Sequence, residues 1–174
     1  MAPVRLLAAA GEVGFLGDVS MPGELYVVSR SPVALAGMGY PARVDWQLLA
    51  AEGFGHVVCL THDGLPPYDP APLRVTAIAL EDLWTAHEPT DPEGELERVS
   101  AAAAEVVASI ETGEGVVVHC RGGRGRAGTV LGVALVRLGH EPEAIVAYLD
   151  LLHRRRGKGG WPESRWQAAT VRGA

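Results

Sequence analysis

VVVHCRGGRGRAGT (residues 116–129) opens on three valines and closes on the start of an apolar segment, with glycines and arginines between. A short β-branched apolar run reads as a buried strand, and the stretch from about Ala127 to Leu138, stopped by Gly139, reads as an apolar helix. Between them Cys120 and Arg126 are separated by five residues, three of which are glycine. Glycines let the backbone curl until successive N–H groups point into one concavity, which is an anion nest. The helix that follows adds unpaired N–H groups and the positive end of its dipole. Arg126 supplies a planar fork for two oxygens of a phosphate, and the same positive surroundings favour the thiolate of Cys120, the form that attacks.

Outward from this turn, Gly and Pro divide the chain into short elements. GELYVVS (residues 23–29) reads as an early strand, residues 45–52 as a short helix closed by Gly53, and HVVCL (residues 56–60) as a buried strand. LRVTAIAL (residues 73–80) reads as a further strand. Leu96, Val99, Ala103, Val106 and Ile110 recur at helical spacing, after a capping-box pattern TDPE at residues 90–93 and before Gly113. A last helix is expected from near Pro142 to the arginines 154–156. Strands alternating with helices predict an α/β fold, a single domain over residues 1–174 with a largely parallel central sheet flanked by helices. Residues 1–22 are expected to form an irregular N-terminal segment. Ligands bind such sheets at the carboxyl ends of the strands, where the Cys120 turn lies.

Composition narrows the function classes. The 174 residues carry a net charge of −6, which argues against a nucleic-acid coat, and contain no apolar run long enough to span a membrane. Two cysteines cannot build a disulfide framework, and the short apolar stretch after Arg5 makes a poor signal peptide, so a cytoplasmic protein is expected. Oligomeric state is not legible.

The segment resembles the signature HCxxGxxR of the protein tyrosine and dual-specificity phosphatases, matched by His119, Cys120, Gly123 and Arg126. By order of elements the likeness extends over roughly residues 23–165; VVCLTHDGL is similar to the kinase-associated phosphatase group and HCRGG to bacterial members. It implies a cysteine-dependent phosphoric monoester hydrolase with a phosphocysteine intermediate. Cys120 would be the nucleophile and Arg126 the phosphate clamp, with Arg121, Gly122, Gly123, Arg124 and Gly125 as the phosphate-binding loop. No metal or organic cofactor is implied, and the substrate would be a phosphorylated protein or a small phosphorylated molecule. The family's acid, an aspartate on a loop before the cysteine, corresponds to Asp82 after LRVTAIAL. Glu81 is one residue off that register, Asp91 suits a helix cap, and His87 is a lone loop histidine.

Two departures bear on turnover. The family usually has Ser or Thr after the arginine to stabilise the departing thiolate, and here Ala127 stands there, with Thr129 two positions on. The glutamine that many relatives use to place water has Ser164 or Gln167 of WPESRWQ as its candidates. Arg121 and Arg124 stand where a related lipid phosphatase has lysines, which implies a phosphoinositide or inositol-phosphate phosphatase as an alternative. A non-catalytic phosphate-binding module, and a sulfur- or arsenate-handling enzyme, are the other readings. Cys59 reads as a core residue and His119 as an orienting one; Arg154 to Arg156 suit a helix C-terminus, and Trp161 and Trp166 pack the last segment.

Overall fold

A computed structural model of the chain describes residues 3–7, 15–16, 19–20, 25–62, 65–84 and 87–174. The valine run becomes β8 (Gly115–His119), every residue of which is buried. In chain order it is preceded by β1 (Arg5–Leu6), β2 (Phe15–Leu16), β3 (Val19–Ser20), β4 (Tyr26–Ser31), β5 (Leu35–Met38), α1 (Trp46–Ala51), β6 (Phe54–Cys59), β7 (Arg74–Ala77) and α2 (Pro92–Glu111). After it come α3 (Gly125–Arg137), α4 (Pro142–Arg155) and α5 (Arg165–Arg172). Six strands form one sheet in the order β1-β4-β5-β8-β6-β7, while β2 and β3 pair separately. β5, β8, β6 and β7 run parallel to one another and β1-β4-β5 pair antiparallel, so the central sheet is largely parallel, as expected.

β8 lies between β5 and β6, with His119 level with Met38 on one side and Cys59 on the other. The two-residue period of a strand decides what each side chain meets. Val116, Val118 and Cys120 join the core cluster shared with α2, α3, α4 and α5, whereas Val117 packs among Val57, Ala36, Trp46 and Leu49 on the α1 side. Each fully buried valine contributes on the order of 1.5–3 kcal/mol. The apolar faces therefore hold the strand end, and with it Cys120, at the centre of the fold.

The helices depart from expectation in several places. Leu96 is 50% exposed, and Glu95 takes the inward position on α2 with Val99, Ala103, Val106 and Ile110. Asp91 takes the cap role expected of it, accepting from the Gly94 N–H at 3.1 Å, so the capping-box pattern does not start at Thr90. α3 begins at Gly125, two residues before Ala127, and α5 is an unexpected helix. β7 ends at Ala77; Ile78 and Leu80 still donate backbone hydrogen bonds to Cys59 and Leu60, at 2.9 and 3.2 Å, as the strand leaves the sheet. Within the early strand, Gly23 and Glu24 lie outside the described residues, and the pairing begins at Tyr26.

Burial also sets a pH dependence. His153 on α4 has no exposed surface, and burial, followed by the charges of Arg156, Arg124 and Lys158, pushes its ring from 6.5 down to about 3. His56 is shifted in the same direction, first by burial and then by Arg74. A depressed histidine contributes stability that is fully present above about 6.5 and is lost as pH falls towards 3, because the unfolded chain takes up the proton first. Unfolding free energies from urea melts should therefore fall between pH 7 and pH 5, by up to about 1.4 kcal/mol per pH unit for each such histidine. His153→Gln should flatten that slope; an unchanged slope would show that His153 is not its source.

Candidate active site

The loop after β8 curls because its residues leave it little else to do. Gly123 adopts φ +65, and a Cβ there would lie 2.5 Å from both the Gly39 nitrogen and the Met38 carbonyl carbon. Only glycine fits this conformation and this approach of two backbones. Arg121 O accepts from the Tyr40 N–H at 3.0 Å, and Cys120 N donates towards Met38 O at 3.4 Å, so the end of β5 supports the loop from one side. The start of α3 at Gly125 brings Arg126 into the first turn, where its side chain is buried.

Asp82, Trp84, Cys120, Arg121, Gly122, Gly125, Arg126 and Glu163 line one open cavity of about 430 Å³. The three residues expected to carry catalysis thus share it, although Asp82 lies 38 positions before Cys120 in the chain. Arg126 Nη2 donates to Asp82 Oδ2 at 2.9 Å and Nη1 to the Leu80 carbonyl at 3.3 Å. The arginine and the aspartate are therefore paired before any anion arrives. Arg121 is exposed at the cavity wall. Arg124, by contrast, forms an ion pair with Glu163, Nε to Oε1 at 3.1 Å.

The segment carrying Asp82 is tied at both ends. The buried Glu95 accepts from the Glu81 N–H at 2.8 Å and is itself paired with Arg98 at 2.7 Å. Glu81 turns its carboxylate to the Thr90 N–H and hydroxyl, at 2.8 and 2.9 Å. Two of the alternative acids, Glu81 and Asp91, are thus occupied in closing a turn and capping a helix, and His87 is exposed. The water-placing candidates have structural duties. Ser164 caps α5, and Gln167 accepts from the N–H groups of Glu163 and Ser164 at 2.8 and 3.2 Å. Thr129 donates its hydroxyl to the Gly125 carbonyl at 2.8 Å.

Behind the loop, His119 Nε2 meets the Tyr68 hydroxyl, and Tyr68 stacks on Trp46 with ring centroids 5.5 Å apart. His119 therefore orients the strand end by hydrogen bonding. Cys59 is half-buried beside a second cavity rather than in the core. Burial pushes its thiol up, but contacts with His119 and Thr61 outweigh this and bring it to about 6. Among the described residues no group of three or more His, Cys, Asp or Glu is placed to hold a metal ion.

Sequence reading missed Trp84 and Glu163. Trp84, 70% exposed, stands at the rim two residues after Asp82. Glu163 was legible only as part of WPESRWQ, one position before the residues considered for water placement. It comes close enough to α3 that a Cβ on Gly125 would lie 1.8 Å from its carboxylate. Burial raises the affinity of Glu163 for its proton, opposed by Arg124.

A family model described as the Swiss Army Knife protein, DSP-PTPase phosphatase domain (PTP-SAK), matches residues 27–156. Among solved structures the chain is similar to Tk-PTP in its active form, with 24% identity over 80% of this chain and 89% of that one and a TM-score of 0.53. It is similar also to kinase-associated phosphatase with its catalytic cysteine replaced by serine, with 16% identity over 88% and 94% and a TM-score of 0.63. A third is P. aeruginosa TpbA, with 23% identity over 85% and 84% and a TM-score of 0.53. At these identities the likeness is one of fold. A search of curated proteins found no match.

The Glu163 carboxylate faces the same helix start and the same arginines that an incoming oxyanion would use. Glu163→Gln removes a competing charge and loosens Arg124 at once. Inorganic phosphate should therefore bind the variant several-fold more tightly at pH 7, measured as protection of Cys120 from alkylation. Equal or weaker protection would mean that Glu163 does not oppose anion binding.

Proposed function

Since the chain belongs to the DSP-PTPase phosphatase family, we propose that it hydrolyses phosphoric monoesters through a phosphocysteine intermediate at Cys120. The observation that carries this reading is the convergence of Cys120, Arg126 and Asp82 on one cavity. In the reaction, the Cys120 thiolate attacks phosphorus and the bond to the leaving oxygen breaks. Arg126 and the inward N–H groups of residues 121–125 take the charge on the equatorial oxygens. Asp82 gives its proton to the leaving oxygen, and later takes one from the water that cleaves the P–S bond. A phosphate that engages the Arg126 fork would draw it from Asp82, whose carboxylate then takes up a proton from solvent before it gives one to the leaving oxygen.

A phosphoprotein or a simple aryl phosphate suits the site better than a substrate with several phosphates. The multi-phosphate alternative needs both Arg121 and Arg124, and Arg124 is already neutralised by Glu163. Trp84 at the rim offers an aromatic face for the organic part of the substrate.

Turnover of a chromogenic aryl phosphate tests the proposal. Cys120→Ser should abolish it, and vanadate should block it. Asp82→Asn should slow a substrate with a poor leaving group by about 10²–10⁴-fold, and an activated one far less. Full activity in Cys120→Ser would overturn the reading in favour of another chemistry, and no turnover by the native protein would favour a binding module.

Ala127 gives a second, kinetic expectation. It is fully buried and brings no hydroxyl to the thiolate, and the Thr129 hydroxyl is already donated to Gly125 O. Breakdown of the phosphocysteine should then be the slow step, giving a burst of product before a slower steady rate. Ala127→Ser should raise the steady rate and leave the burst rate nearly unchanged. Stopped-flow traces of both proteins measure this, and a trace without a burst would place the slow step elsewhere.

A further inference from the structure

A nest whose N–H groups face inward turns its carbonyl oxygens outward, and each of those oxygens needs a donor. Around the Cys120 loop the donors come from four different parts of the chain. Arg121 O accepts from Tyr40 N, and Arg124 O from Gly128 N at 2.8 Å. Gly125 O accepts from the Thr129 hydroxyl at 2.8 Å and from Trp161 Nε1 at 3.4 Å. Gly123 O accepts from Nη1 of Arg156, 3.2 Å away at the end of α4.

Arg156 is held for this contact. Its guanidinium carbon lies 4.0 Å from the centroid of the Tyr26 ring, and Nη1 is 2.7 Å from Nδ1 of His153. The His153 ring stands edge-on to Tyr26 at 5.3 Å. Tyr26 is fully buried on β4, and its hydroxyl end presses so close to Gly37 that a Cβ there would lie 2.3 Å away. A continuous set of contacts thus runs from the sheet through Tyr26 and the guanidinium to Gly123.

The loop needs such a hold. Gly122 has nothing within 4 Å of where a Cβ would be, and Gly123 has the conformational range that only glycine allows. The C=O of Gly123 and the N–H of Arg124 belong to one trans peptide and point in opposite directions. With the oxygen turned out to Arg156, that N–H faces inward; after a peptide flip the oxygen would face the anion instead.

We propose that Arg156 is a positioning residue that locks the Gly123–Arg124 peptide with its N–H towards the cradle and so keeps the loop competent for an oxyanion. The inference rests on the phosphatase reading of the loop, and it assigns a task to a residue that touches neither substrate nor nucleophile.

Two variants separate the hydrogen bond and stack from charge alone. Arg156→Met keeps the apolar stem, and Arg156→Lys keeps the charge but not the planar fork. Each is measured for inhibition by inorganic phosphate in the aryl phosphate assay, and for the pH profile of Cys120 alkylation followed by mass spectrometry of the Cys120 peptide. Thermal melts check folding. In Arg156→Met phosphate inhibition should weaken by roughly 10- to 100-fold, the loss expected of a site misplaced by about an ångström. Its alkylation profile should move to higher pH, since fewer N–H groups then face the sulfur, and Arg156→Lys should fall between the two.

Wild-type phosphate inhibition and alkylation in a folded Arg156→Met would overturn the inference, as would an Arg156→Lys identical to wild type. If Arg156→Met fails to fold, Arg156→Lys decides alone: weakened phosphate inhibition supports the role, and wild-type values refute it. A wild-type protein whose Cys120 is not protected by phosphate would instead overturn the phosphatase reading itself, and the inference with it.

Discussion

A loop that curls back on the strand it leaves turns carbonyl oxygens into the protein, and each buried one needs a donor. A buried carbonyl left without one costs about 1–3 kcal/mol. Around Cys120 this requirement recruits Tyr40 from the segment after β5, Gly128 and Thr129 from α3, Trp161 from the segment before α5, and Arg156 from α4. Gly123 and the Met38–Gly39 backbone meet without room for a side chain. The sheet order follows the same need: with β8 between β5 and β6, both flanking strands can brace the turn that leaves it.

Charge is arranged around this loop with unusual economy. Two arginines and two carboxylates meet there, Arg126 with Asp82 and Arg124 with Glu163, so little net charge is left uncompensated in a partly buried site. An incoming oxyanion must compete with those carboxylates. Arg121 stands exposed at the cavity wall, with no ion pair among the described residues. The segment carrying Asp82 is tied down for a related reason: the Glu95 carboxylate, buried on α2, is neutralised by Arg98 and also accepts from the backbone of Glu81.

The rear of the loop is also polar. His119, Tyr68 and Cys59 form a group on the α1 side of the sheet, opposite to the face that Cys120 joins. The period of the strand separates the two cysteines in role: one ends the strand towards the helices, the other opens on a distinct cavity. A thiol brought to about 6 there will react with alkylating agents, so labelling must be assigned by peptide.

What could be read from the chain itself was what is encoded locally. The valine run, the glycines and the Cys120–Arg126 spacing specified a strand, a curled loop and a helix start, because period, conformational freedom and residue type act over a few positions. The alternation of strands with helices gave the fold class in the same way. Asp82, 38 positions before Cys120, was reachable only through resemblance, and only the tertiary structure brought Glu163, 43 positions after it, to the loop, because no local period links these segments. It also moved Leu96 outward and Glu95 inward, because a buried carboxylate with an arginine and a backbone N–H to satisfy outweighed the apolar pattern. And it set Arg156, readable in sequence only as a charge at a helix end, beneath Gly123: the loop's carbonyls need donors, and which distant side chain supplies one depends on how α4 packs against the sheet.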